Sequence, residues 1–533
     1  MSPSRPETRH LKSLSAVAAI AAGLGLLLRG WAVLPVPDRD ASYFVGTSVS
    51  LGSGDGFTNR HDALVMSQDP EDQARYLSYP PAFPLVVGLL GGGTVRGNTM
   101  VIAFLAAAAV FLCSLLFAAT SDVTSGPARW AAALATVAFA TAFSNGAQRP
   151  EALSAVLVLL GALALRRAPD RLGRDVLIGA LLGVLLHVQI TVTLYAAAAL
   201  VAHVAYGQPT KRALGALARG AASAMAVASL GLWLHPYGGR AYVEAFLQFA
   251  SFAASQSQAR FVGYWILGVR FPGLLPTLLL AVGLTAWGWW RASQRAQSPV
   301  LMALAVLAGT ALFVRYAMMQ PPRWYDATCF LPFLYAAILR SMSRPPEGGA
   351  AARWLVIAAF AVIGANTLGY ARRLGMALPA LTGASSYAGA SAQLRRDLQA
   401  LGARGMVATT PQAWMLLPDV RWGCVMELPD GFKDGTSCRV LPGLLVVQQA
   451  RFAGGAPAPG HLRIAPRLFD RALGAADSTS WVLVRSRFAP AAGATGVLAR
   501  QAASAWGYAI YRRTRLEPRR VVAAPARVPW VRQ

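Results

Sequence analysis

Uninterrupted apolar runs of about 18 residues or more recur through the first two-thirds of this 533-residue chain, and they constrain it more than any other feature. A helix of that length matches the hydrocarbon thickness of a bilayer, about 30 Å. Lipid offers backbone groups no water, so only helices or closed barrels cross it. These runs are continuous rather than alternating, which selects helices. Charged residues make up only 14% of the chain, where a soluble domain carries about 25%. The expected fold is an all-α polytopic membrane domain. Spans are expected at 14–34, 98–120, 128–144, 151–166, 175–188, 190–206, 217–234, 272–290, 299–317, 324–340 and 353–370, about eleven in all. The first run is too long for a signal-peptide core and lacks a convincing cleavage site, so it reads as a retained span.

Charge orients the spans. Arg166, Arg167, Arg171 and Arg174 share one connection, and Lys211, Arg212 and Arg219 another. Arg291 and Arg295 mark a third, and Arg340, Arg344 and Arg353 a fourth. Counting spans puts all four on the side of the basic N-terminus, which the positive-inside rule makes cytoplasmic. The loop 35–98 and everything after Tyr370 then lie outside. The net charge of +26 rests on arginine, with only Lys12, Lys211 and Lys433 as lysines. That bias fits a GC-rich bacterial genome as well as contact with anionic lipid phosphates. No basic stretch sits in a nucleic-acid reading motif, so no nucleic acid partner is expected. The expected location is a bacterial inner membrane, with several spans and a cytoplasmic N-terminus.

The domain division follows. Residues 1–373 form the membrane domain, with the first outer loop at 35–98. Residues 374–511 have the composition of a small extracytoplasmic α/β domain, with a helix near 394–401 and strands near 406–409, 444–448, 481–485 and 508–511. Residues 512–533 are basic, contain proline and are expected to be disordered. Cys113 and Cys329 lie in apolar segments. Cys424 and Cys438 lie in the tail, where an oxidising compartment would permit a disulfide.

The outer loop carries seven acidic residues against four arginines. Asp55 sits in a Gly-Ser-Gly-Asp-Gly turn, and Asp69, Glu71 and Asp72 crowd one polar stretch. Asp38 and Asp40 stand apart, directly after the first span and ahead of Tyr43-Phe44. A carboxylate there is a general-base candidate, ionised at neutral pH with a reference pKa of about 3.9; a helix cap or a solvated side chain is the plain alternative. Asp38-Arg39-Asp40 is also a D-x-D spacing compatible with a divalent metal, although six scattered histidines mark no dedicated site. Tyr79-Pro80-Pro81-Ala82-Phe83-Pro84 cannot form a helix interior, and the short apolar run 85–90 suits a helix lying at the interface.

The pattern Arg29 … Asp40-Ala41-Ser42-Tyr43 … Leu51-Gly52-x-Gly54-x-Gly56-Phe57-Thr58, followed by Tyr79-Pro80-Pro81-Ala82-Phe83-Pro84-Leu85, resembles the GT-C superfamily of polytopic glycosyltransferases. More narrowly, it resembles the bacterial members related to protein O-mannosyltransferases and lipid A aminoarabinose transferases. Gln148-Arg149-Pro150-Glu151-Ala152-Leu153 resembles that family's short outer loop ahead of a Leu-rich helix. Pro322-Arg323-Trp324-Tyr325, before Phe330-Leu331-Pro332, resembles its Arg-Tyr element near a late span.

The resemblance implies sugar transfer from a polyprenyl-phosphate carrier to an acceptor hydroxyl at the outer leaflet. It puts the general base at Asp40, with Asp38 second. A departing phosphate needs donors at its oxygens, and arginine's planar fork suits them. Arg323 is the first candidate, Arg149 the second and Arg260 a distant third, with Tyr325 beside Arg323. His187, in an apolar run at the outer end of a span, is a further carrier-phosphate candidate against the plainer reading of a satisfied core histidine. The partners implied are the lipid-linked donor, a glycan, lipid or protein acceptor, and membrane lipids. No cofactor is implied with certainty. A lipid or solute transporter is the alternative, although no matching halves stand out, and a non-catalytic envelope protein is a third reading.

Overall fold

The computed structural model describes residues 7–34, 39–58, 79–120, 126–143, 149–167, 171–207, 210–256, five residues within 277–283, 328–343, 349–377, 386–403, 407–418, 424–425, 442–448, 458, 460–464, 478–488 and 506–517. Helices α1 (Glu7–Trp31), α2 (Arg39–Gly52), α3 (Ala82–Gly91), α4 (Val95–Thr120), α5 (Gly126–Phe143), α6 (Glu151–Arg167), α7 (Arg171–Leu186), α8 (Ile190–Gly207), α9 (Thr210–Trp233) and α10 (Gly239–Gln256) come first. They are followed by α11 (Leu331–Ser343), α12 (Gly349–Ala377), α13 (Tyr387–Ala400) and α14 (Pro411–Trp414).

Four of the described helices are long and apolar enough to cross a membrane: Leu14–Trp31, Val95–Ala118, Thr210–Trp233 and Arg353–Gly375. The chain is a helical membrane protein. Shorter apolar helices, among them Glu151–Leu165 and Ile190–Val201, fall where further spans were expected. The expected span at 299–317 and most of 272–290 lie outside the described residues.

The chain divides into two compact units. One comprises Met1–Leu27, Leu77–Val86 and Val101–Arg373. Its helices approach closely where side chains are small. A Cβ on Gly179 of α7 would collide with the Gly220 carbonyl of α9, and one on Gly183 would stand 2.7 Å from the Ala224 carbonyl. That Gly-x-x-x-Gly pair lets two backbones meet, as small residues do in lipid, where no water drives association. Buried hydrogen bonds add to the packing. The Asn366 amide donates to Tyr335 Oη at 2.8 Å and to Thr277 Oγ1 at 3.2 Å. Thr141 Oγ1 donates to the Asn366 carbonyl at 2.7 Å, and Tyr370 Oη to the Ala22 carbonyl at 2.6 Å.

The other unit comprises Leu28–Tyr76, Val87–Met100 and Leu374–Gln533. It holds a six-stranded sheet of β1 (Val407–Thr409), β2 (Cys424–Val425), β3 (Leu444–Gln448), β4 (His461–Ile464), β5 (Ser478–Arg487) and β6 (Tyr508–Glu517), ordered β2-β1-β3-β6-β5-β4. β1 runs parallel to both its neighbours, and the remaining pairs are antiparallel, with Val446 opposite Ile510. β3 is buried along its whole length, which suits its continuous Leu-Leu-Val-Val run.

β6 extends past the expected boundary at 511. Arg512–Glu517 are therefore strand rather than disordered tail, because their backbones find partners: Arg512 pairs with Leu444 and Val482, and Leu516 with Thr479. A basic side chain does not end a strand whose ladder continues.

The core of this unit draws on distant segments. Val33, Val45, Val49 and Val95 are buried in one cluster with Leu394, Val407, Trp414, Leu444, Trp506 and Tyr508. Residues 39–52 thus contribute a helix, α2, to the core shared with the sheet. Val33, in the turn just past α1, has φ 54°, in the left-handed region that a β-branched residue enters at a cost. Complete burial of its side chain in that cluster offsets the strain.

Candidate functional site

Three sequence elements singled out above converge in the unit built on Val101–Arg373. The first is Tyr79-Pro80-Pro81-Ala82. Two prolines remove two donors in succession, so Ala82 carries the next backbone N–H and opens α3. A helix start leaves such groups unsatisfied, and a helix end leaves carbonyls unsatisfied. Here the two needs meet: the Ala82 N–H donates to the His187 carbonyl, just past the end of α7, at 2.9 Å.

The second is the His187-Val188-Gln189 turn between α7 and α8. The Val188 and Gln189 N–H groups close it by donating to the Leu185 carbonyl at 3.0 and 2.7 Å. His187 is 7% exposed. Its Nε2 lies 2.9 Å from the Ala228 carbonyl, an acceptor, so Nε2 carries the proton there. The ring fits because α9 has Gly231 opposite, where any Cβ would overlap the imidazole. The third is Arg149-Pro150-Glu151 at the head of α6. Arg149 Nε faces Glu151 Oε1 at 3.3 Å, with side chains 8% and 2% exposed. Glu151 occupies the first turn of α6, where the helix dipole favours a carboxylate. Ser154, one turn on, donates from Oγ to Gln189 Oε1 at 2.9 Å and ties α6 to the turn.

Beyond α9, His235 stacks on Tyr242 with ring centroids 4.9 Å apart at 20°. Burial, and then the nearby His187, hold His235 down at about 4, so it is neutral at physiological pH. Gly238 turns the chain at φ 82°, and α10 begins directly after it. Arg240 and Glu244 support α10 with an i,i+4 contact of 2.8 Å.

Asp40 lies in the first turn of α2, described for its backbone, in the sheet-bearing unit. Asp38, Arg260, Arg323, Tyr325 and Cys438 lie outside the described residues. Among the described residues no group of three His, Cys, Asp or Glu side chains is gathered for a metal; the Asp38-Arg39-Asp40 side chains are not among them. Arg29 is buried, at 6% exposure, in the last turn of α1. Asp55 is exposed, in a turn with Gly54 and Gly56 at positive φ. Arg373, which sequence reasoning passed over, reaches the Thr141 carbonyl near the end of α5 with Nη1 at 3.0 Å. An arginine pair, Arg372-Arg373, on the side that the charge rule leaves poor in cations was the signal for it.

A guanidinium, a carboxylate and an imidazole, all buried, thus stand on connected helix ends. Such groups in a membrane protein mark a functional site by default. No protein-family model matches the chain, and no curated protein matches it. Solved structures similar to it include ArnT and archaeal oligosaccharyltransferases. ArnT from Cupriavidus metallidurans bound to undecaprenyl phosphate is 16% identical with a TM-score of 0.46, over 72% of each chain. The apo oligosaccharyltransferase of Archaeoglobus fulgidus is 11% identical with a TM-score of 0.43, over 68% of this chain. AglB of the same organism, in complex with an inhibitory peptide and a dolichol-phosphate, is 13% identical with a TM-score of 0.42, over 68% of this chain. This chain spans 56% of the length of each of the two archaeal chains. Likenesses this loose carry no residue roles, and the chemistry rests on the residues above.

Proposed function

We propose that the chain is an integral membrane glycosyltransferase that moves a sugar from a polyprenyl-phosphate donor to an acceptor hydroxyl at the outer face of the membrane. The observation that carries this reading is the convergence of the Tyr79–Ala82 element, the Arg149–Glu151 pair and the His187 turn on one set of helix ends. These elements are far apart in sequence, and each belongs to the motif pattern or to the set of phosphate-binding candidates read from it.

Asp40 is the general base for the acceptor hydroxyl, with Asp38 the alternative. Arg323 and Arg149 hold the donor phosphate, with His187 and Tyr325 supporting. Loss of the leaving phosphate is the step such donors accelerate, because negative charge grows on its oxygens in the transition state. Glu151 orients the Arg149 guanidinium through Nε.

The test is transfer of labelled sugar from synthetic polyprenyl-phosphate donors to membrane acceptors by the purified full chain. Wild type transfers, and Asp40→Asn loses at least about a hundredfold in kcat, the usual scale of a general base. Equal rates would move the base to Asp38 or elsewhere. Donor translocation without transfer would favour a transporter and overturn the proposal.

A further inference from the structure

The opposite ends of the same helices carry a second set of charges that the sugar-transfer reading does not use. Asp175, near the start of α7, is 8% exposed. Arg219 of α9 grips its Oδ2 through Nη2 at 2.7 Å and Nε at 3.3 Å, and Arg174 Nη2 approaches Oδ1 at 3.4 Å. One carboxylate thus answers two guanidiniums. Arg174 Nε is buried with no hydrogen-bond partner among the described residues. Lys211 and Arg212 stand exposed on the first turn of α9. The balance is cationic, on the side that the charge pattern marks as cytoplasmic.

Arg174 and Asp175 line a small cavity whose walls are otherwise mostly apolar. Three of its wall residues, Leu165, Ile178 and Leu200, also line a larger slot between α6, α7 and α8. That slot holds about 590 Å³ of empty space, its open side included, and reaches Leu185 and Phe333. From Asp175 to Leu185 is about 15 Å along α7 at about 1.5 Å per residue. That is the depth of one leaflet, half of about 30 Å.

We propose that this slot binds an anionic glycerophospholipid of the cytoplasmic leaflet, its headgroup phosphate on Arg174 and Arg219 and one acyl chain between α6, α7 and α8. Three features select that occupant. The cations sit at the interfacial end, where an anionic headgroup lies. The unpaired Nε supplies a donor that Asp175 does not use. The apolar slot ends within a single leaflet, which suits an acyl chain and not a long isoprenoid. The bound lipid would brace α7 against α8 at the end remote from His187.

The test uses the full chain in neutral detergent, with palmitoyl-oleoyl phosphatidylglycerol or phosphatidylcholine added, and native mass spectrometry to count bound lipid. Wild type is expected to retain one phosphatidylglycerol with at least tenfold preference. Arg174→Gln with Arg219→Gln should abolish the preference. Because Arg219 also neutralises Asp175, a second variant leaves every charge in place: Gly161→Leu, whose position lines the slot and has only Leu181 near its absent Cβ, at 3.9 Å. It should also lose the lipid. Equal retention of both lipids by wild type would overturn the proposal, as would unchanged retention in either variant. Displacement of phosphatidylglycerol by an equal concentration of inorganic phosphate would reveal a bare anion pocket and overturn it too. None of these readouts involves sugar transfer, so their failure and the failure of the enzymatic reading are separable.

Discussion

Asp397 in the sheet-bearing unit and Asp175 near the start of α7 are each almost buried, and each lies between two arginines. Their surroundings differ. Asp397 accepts from Arg485 at 2.7 Å, from Arg487 at 3.1 and 3.2 Å, from Tyr508 Oη at 2.9 Å and from Gln393 at 3.0 Å. Those donors come from α13, β5 and β6, so the carboxylate is the rivet between helix and sheet. Among the described residues Asp175 accepts from arginines alone, and one of these keeps a buried N–H without a partner there. A saturated cluster has nothing left to offer a ligand and acts as structure. An unsaturated one at the mouth of a slot still has a donor to give.

The sharpest way to break this contrast is Asp397→Ala. It strands two guanidiniums and a tyrosine hydroxyl that were built around one acceptor. The expected loss is about 3 kcal/mol, the lower part of the range for breaking a buried ionic cluster, since both arginines are partly solvated. Hydrogen exchange of the β5 and β6 amides measures it. Unchanged protection there would remove Asp397 from a structural role.

Acid should act on the same rivet. Burial alone would raise the Asp397 carboxyl, but its bonds to Arg487, Arg485, Tyr508 and Gln393 overcome that and hold it at about 2. A carboxyl lowered on folding stabilises the fold above its unfolded value, near 3.9. The contribution disappears as pH falls through the folded value. On the order of 2 kcal/mol should therefore vanish between about pH 4 and pH 2. Exchange at the sheet amides should follow that window in wild type and lose it in Asp397→Ala.

The smallest effect should come from Asp175→Asn. Arg219 is 41% exposed and can turn to water, so the pair behaves nearly as a surface bridge worth about 1 kcal/mol or less. Exchange across α7 and α9 reads it. A loss larger than that of Asp397→Ala would invert the comparison.

The legible parts of this molecule were those whose signal is local. Hydropathy placed the helices at 98–120, 151–166 and 190–206 within a few residues, because each buries its own backbone bonds. The Leu444–Gln448 strand was equally plain from its short continuous apolar run. The helix Arg39–Gly52 was not. Its Val45 and Val49 are interleaved with serine, threonine and glycine, and most of the residues they cluster with lie near the other end of the chain. The candidate site split in the same way. Arg149, His187 and the Tyr-Pro-Pro element stood out as residue types in unusual company. The bonds joining them, Ser154 to Gln189 and Ala82 to His187, use a commonplace hydroxyl and a backbone carbonyl. Asp397 escaped notice because an aspartate on a polar helix looks solvated until the arginines of a strand some ninety residues away cover it.

The shared cluster of Val45 and Val49 with Leu394, Trp414 and Trp506 has a consequence for biogenesis. When α2 leaves the ribosome, its partners have not yet been made. At about 5–20 residues per second they follow only after tens of seconds. During that interval the apolar flank of α2 lacks most of the side chains that cover it in the finished fold. A chain interrupted by a stop codon before α13 would keep its early helices yet leave that flank without its cover.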